Sequence, residues 1–114
     1  MRELQKLSHQ QSRDKGFWDV AGEVPLTTLV AKLALIHSEV SEAVEELRAG
    51  RNEVWYSTER SDTGLKPEGF PVELADIVIR VLDLAERLKI DLEPVILEKL
   101  TYNATRPYRH GKEI

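Results

Sequence analysis

The 114-residue sequence contains no cysteine. That excludes a disulfide framework and any thiolate metal centre, so a hard-cation site here would have to be built from oxygen. No uninterrupted apolar run approaches the roughly 20 residues needed to span a bilayer. The opening stretch Met1-Arg2-Glu3-Leu4-Gln5-Lys6 also lacks the apolar core of a signal segment. No membrane partner is expected, and the expected location is the cytoplasm. Positive charge is in deficit as well: 16 Lys and Arg against 20 Asp and Glu leave a net charge of -4. Duplex nucleic acid is bound mainly by neutralising phosphates with Lys and Arg, so a long nucleic-acid partner is not expected. There is no internal repeat, low-complexity tract or linker, and the length suits one domain over 1–114.

Helical patterning fills most of the chain. Glu3 to Lys15 is rich in helix formers, and Gly16-Phe17-Trp18-Asp19 ends it in a loop that runs to Pro25. From Leu26 to Ala49 the apolar positions Leu26, Leu29, Val30, Leu33, Ile36, Val40, Val44 and Leu47 recur every three or four residues, and Gly50 follows as a terminator. Residues 51–70 carry Trp55-Tyr56 and a run rich in Ser, Thr, Asp, Gly and Pro, which predicts a long connecting loop. Pro71 suits the first turn of a helix that continues to about Lys89. On a helical wheel its apolar arc spans roughly 220°. The narrow remaining stripe holds Glu73, Asp76, Arg80, Asp83 and Arg87. Asp91 is a natural cap for a last helix from Leu92 to Ala104, which Pro107 prevents from continuing. The expected fold is all-α: a bundle of three to four helices, completed by oligomerisation because the Pro71 helix needs cover on most sides.

The chemistry-bearing residues are carboxylates. Glu39 and Glu42 lie three apart on one helix, and Glu73 and Asp76 lie three apart on the next, so each pair projects from one face. If antiparallel helices bring the pairs together, they offer the oxygen donors that magnesium or manganese requires, and without cations their mutual repulsion would be costly. Solvated acidic faces are the alternative, since Glu at this spacing is common on exposed helices and acidic residues favour a helix start. Spacing alone leaves the two readings level. A di-iron centre of the Glu-x-x-His type has no support, because none of His9, His37 and His110 has a Glu three residues before it. Lys99 and Asn103, four apart on the last helix, could grip a phosphate with Arg106 nearby, or could simply complement the helix dipole. Trp18 and Trp55 could stack on a base or belong to the core.

Glu39-x-x-Glu42 followed by Glu73-x-x-Asp76 resembles the signature of MazG-like all-α nucleotide pyrophosphohydrolases. The likeness extends to Lys32-Leu33-Ala34-Leu35-Ile36-His37-Ser38-Glu39, to Glu73-Leu74-Ala75-Asp76-Ile77, to Lys99-x-x-x-Asn103 with Arg106, and to Gly16-Phe17-Trp18-Asp19. The resemblance implies magnesium-dependent cleavage of a (deoxy)nucleoside triphosphate to the monophosphate and pyrophosphate, with a possible housecleaning role in the nucleotide pool. Manganese is an implied substitute, and the implied assembly is a homodimer or a dimer of dimers. Glu39, Glu42, Glu73 and Asp76 would hold the metal, Lys99, Asn103 and Arg106 the phosphates, and Trp18 or Trp55 the base. One departure is Ser38, where many members carry a further Glu that is the usual candidate for the general base. Either metal activation of water suffices here, or Glu46, one turn beyond Glu42, assists. Two other readings remain: a non-catalytic helical adaptor that dimerises through the Pro71 helix, and a sensor that binds metal and nucleotide without turnover.

Overall fold

The computed structural model describes residues 1–19, 21–61 and 64–113, with the side chains of Arg60 and Ser61 also outside the description. It is mostly helical, with α1 over Arg2–Asp14, α2 over Leu26–Arg48, α3 over Phe70–Arg87 and α4 over Leu92–Ala104. The predicted connecting loop at 51–70 is instead largely an antiparallel hairpin, β1 (Trp55–Ser61) against β2 (Gly64–Glu68). The fold is therefore all-α in its layers but carries one small sheet between α2 and α3.

Local chemistry explains the element ends. Gly50 follows α2 at φ 75, a left-handed conformation that glycine adopts without steric cost, and Arg51 N–H closes the helix end on the Glu46 carbonyl at 2.9 Å. The excursion that follows is tied at its neck, where Phe70 N–H donates to the Arg51 carbonyl at 3.0 Å. Gly69 enters α3 at φ 110, and any Cβ there would run into the Glu53 carbonyl oxygen. Pro71 occupies the first turn of α3, where no backbone donor is lost.

The central element is α3, against which α1 and α2 both pack, whereas α4 touches the rest only sparsely. Its outer face is open: Val95, Leu97, Leu100 and Tyr102 are each more than half exposed. The apolar core is small, comprising Val24, Ala43, Leu82 and Ala85 among the described residues. Gln5 is completely buried and compensates by hydrogen bonding. Its amide donates to Glu86 Oε1 at 3.0 Å and to the Ile90 carbonyl at 2.6 Å, and its oxygen accepts from Leu92 N–H at 3.3 Å. One side chain thus joins α1, the end of α3 and the start of α4.

The polar stripe of α3 faces inward. Arg80 pairs with Glu39 on α2, Asp83 accepts from Trp18 Nε1 at 2.9 Å and contacts His9 Nδ1 at 2.8 Å, and Glu86 meets Arg2 at 2.6 Å. Conversely, the stripe of α2 formed by Leu26, Val30, Leu33, Val40, Val44 and Leu47 is left 45–75% exposed. A single chain is therefore organised about a polar seam with much of its aliphatic surface outside.

Candidate metal centre

Each acidic pair occupies one helical turn, Glu39 with Glu42 on α2 and Glu73 with Asp76 at the start of α3. Glu39 lies beside Arg80 and Glu42 beside Glu73, so the two helices run antiparallel and bring the pairs face to face. One carboxylate oxygen from each of Glu39, Glu42 and Glu73 lies within 4.8 Å of the others. Asp76 completes the acidic group one turn along α3 and shares a cavity wall with Glu39.

The crowding perturbs every member. Burial, reinforced by the charges of Glu42 and Asp76, pushes Glu73 up to about 7. Glu42 is raised chiefly by its interaction with Glu39 and then by burial. Asp76 is raised by burial and by Glu39, against the opposing charges of Arg80 and Lys66. Burial also acts to raise Glu39, but the Arg80 hydrogen bond, the interaction with Glu42, the Arg80 charge and the interaction with Glu73 together outweigh it, so this carboxylate alone of the four is lowered. At neutral pH the group holds a fixed anion at Glu39 and a partly protonated partner at Glu73.

The donor set fits a hard divalent cation. Glu39 Oε2 and Glu73 Oε2 are buried and have no hydrogen-bond donor. A buried carboxylate oxygen without a donor is costly, and that cost is removed either by a proton shared within the cluster or by an oxygen-seeking ion such as magnesium or manganese. The same cluster then offers donors from two helices rather than from one exposed face.

A cavity of about 320 Å³ opens beside the cluster, near the lower end of the range for small-molecule sites. Glu39, Asp76 and Arg80 contribute charged groups of both signs to its lining, Phe17, Trp18 and Lys32 an aromatic and cationic wall, and Ser8, Gln11 and Ser12 a polar strip on α1. Trp18 is held in place from several sides. Its indole N–H is bound to Asp83, and the Lys32 ammonium stands 4.3 Å from its ring centre while also donating to the Phe17 carbonyl at 3.0 Å.

The other sequence-predicted site residues lie elsewhere. Trp55 is at the base of the hairpin, with Arg51 5.6 Å from its ring centre, and does not line the carboxylate cavity. Glu46 is bound by Arg51 Nε at 2.6 Å, and that hydrogen bond is the main reason its acidity is strengthened. An anion so held is a poor proton acceptor. Lys99, Asn103 and Arg106 belong to α4 and its end, where Lys99 and Arg106 stand 4.8 and 5.8 Å from the Tyr102 ring. None of the three lines the cavity of the same chain. Sequence reasoning had assigned no function to Lys32, Gln11 or Arg80. Arg80 was detectable, since it follows Asp76 by one turn on the polar stripe, whereas the α1 strip had no such signal.

Compared with known proteins, the chain matches no family model, no curated protein and no solved structure.

Proposed function

We propose that the chain is a divalent-metal-dependent hydrolase that cleaves a nucleoside triphosphate to the monophosphate and pyrophosphate. The observation that carries this reading is the convergence of Glu39, Glu42 and Glu73 within 4.8 Å, with buried oxygens of Glu39 and Glu73 lacking donors, beside a cavity that Glu39 and Trp18 both line. The resemblance to MazG-like pyrophosphohydrolases supplies the reaction class. Bound divalent ions would neutralise the triphosphate and acidify a water for in-line attack. The four carboxylates hold and orient that charge, while the aromatic wall excludes water from one side of the ligand and gives a flat surface for a base. With Glu46 committed to Arg51, no carboxylate outside the cluster is needed as base. In pyrophosphate-release assays on a panel of ribo-, deoxyribo- and modified triphosphates, turnover should require magnesium or manganese and cease with chelator. A folded protein that releases none from any member of the panel would instead favour the sensor or the adaptor.

The working unit we infer is a homo-oligomer, a dimer or dimer of dimers. Its support is the aliphatic stripe of α2 and the outer face of α4, where large apolar side chains stand 45–75% exposed; grouped apolar exposure of this kind is characteristic of interaction surfaces. Charge supports it as well, since Lys99, Arg106, Arg109 and Lys112 bring cations that the acidic cluster of the same chain does not receive. A second copy would cover the stripe and bring α4 to its neighbour's carboxylates. Sedimentation velocity should give a dimer or tetramer for the native chain and a smaller species for Val44→Glu. A monomeric native chain at tens of micromolar would contradict it.

A further inference from the structure

The geometry points to Arg80 as the residue that positions Glu39 for metal, an inference that rests on the metal-dependent reading above. Arg80 Nε donates to Glu39 Oε1 at 2.8 Å across the α2–α3 seam. That bond engages one oxygen and leaves the other, Oε2, buried and without a donor. Glu39 is only 8% exposed, so little of its carboxylate is solvated by bulk water and the Arg80 bond is its main hydrogen-bonded anchor. A planar guanidinium fixed on one oxygen sets the rotation of the whole carboxylate and so the direction of the other oxygen's lone pairs. Groups that hydrogen-bond a metal ligand from outside commonly govern affinity in this way.

A different action for Arg80 is conceivable on charge alone, and it carries the opposite sign. A cation beside an acidic cluster repels an incoming divalent ion, so an arginine that merely neutralised the cluster would weaken metal binding, and its removal would tighten it. The observed bond argues for orientation. Arg80 donates to the carboxylate through Nε at 2.8 Å, with its side chain 39% exposed and bordering the cavity, while the oxygen it leaves free is buried. Arg80 would then be a positioning residue, acting on metal through Glu39.

Manganese binding measured by calorimetry or by loss of the free-ion paramagnetic resonance signal, with no nucleotide present, tests this directly. Arg80→Met should weaken binding by about 10- to 100-fold, the usual cost of losing a ligand's outer partner. Arg80→Lys, which keeps a donor and the charge, should recover part of the loss. In a Glu39→Gln background, Arg80→Met should have little further effect, because a residue that acts through Glu39 has nothing left to orient. Unchanged or tighter manganese binding in Arg80→Met, with native protein that binds the ion, would overturn the inference and leave the metal site standing. Equal losses from Arg80→Met in the native and Glu39→Gln backgrounds would overturn it too, by marking a general effect on the fold. Absence of binding in the native chain would remove the metal-dependent reading itself.

Discussion

Metal-dependent pyrophosphate release is expected to fall by at least about a hundredfold in Glu42→Gln and in Glu73→Gln, given that even outer partners of metal ligands are commonly worth 10- to 100-fold. Each substitution keeps the shape of the side chain and removes one of the three carboxylates that converge within 4.8 Å. Asp76→Asn should cost less, about tenfold, since Asp76 lies beside that convergence rather than within it. Glu46→Gln should leave turnover close to native, because Glu46 serves Arg51 and the hairpin base. The pattern matters more than any single value. A Glu42→Gln or Glu73→Gln protein that keeps its helical signal and its native turnover would refute the catalytic assignment. A large loss in Glu46→Gln alone would restore that residue as the base.

The second large effect is on stability, and its sign follows from Glu73. This carboxyl is raised from an ordinary 4.5 to about 7 in the fold, with burial as the first cause and the charges of Glu42 and Asp76 next. Between those two values the native state holds more protons than the unfolded chain, so stability falls as pH rises through the window and is lowest above it. Glu42 and Asp76, both raised, act in the same direction. Glu39 and Glu46 are lowered, and their contributions change only below about pH 4.5. Because Glu73 is only partly buried and solvent screens it, the loss from pH 5.5 to 8 in chelator should be on the order of 1–2 kcal/mol. In a domain of this size that corresponds to a fall in Tm of about 4–16 °C. Manganese should reverse the trend, with a Tm gain larger at pH 8 than at pH 5.5, because the ion replaces protons on the cluster. At a hundred times its Kd the ion would add about 2.7 kcal/mol. Thermal melts of native chain and Glu73→Gln, with chelator and with manganese, check this; a native chain that gains stability from pH 5.5 to 8 in chelator would contradict it.

Much of this arrangement was legible in the sequence, for identifiable reasons. Apolar recurrence and terminators located the helices, to the point that α4 runs over the predicted Leu92–Ala104 and α2 begins at the predicted Leu26. The carboxylate spacing grouped Glu39 with Glu42 and Glu73 with Asp76 on single helical faces, but whether the two pairs meet was not in the spacing; the fold brings Glu39, Glu42 and Glu73 together. The hairpin was missed because its strands bury little: Tyr56 is 61% and Leu65 43% exposed, so no inside–outside alternation marked them. Pro67 in β2 further disguised the strand, although a proline is tolerated at the edge of a two-stranded sheet. Nor did periodicity reveal which face of α2 meets α3. The wheel gives the direction of the apolar arc, but the chain packs one flank of that arc, with Ile36, Glu39 and Ala43 the more covered positions, and leaves the rest of it outside. That choice depends on partners such as Arg80 that lie far along the chain, which no local pattern contains.

The neck at Arg51 and Phe70 has an implication for how the chain tolerates change. Because the two ends of the excursion meet through one backbone hydrogen bond, the path between them contributes little to the spacing of α2 and α3. Beyond the packed base at Glu53, Trp55 and Gly69, the hairpin is in effect a loop-out on a closed ring, a natural insertion point whose length and composition can drift, or be re-engineered to carry a reporter, while the helices on either side keep their register.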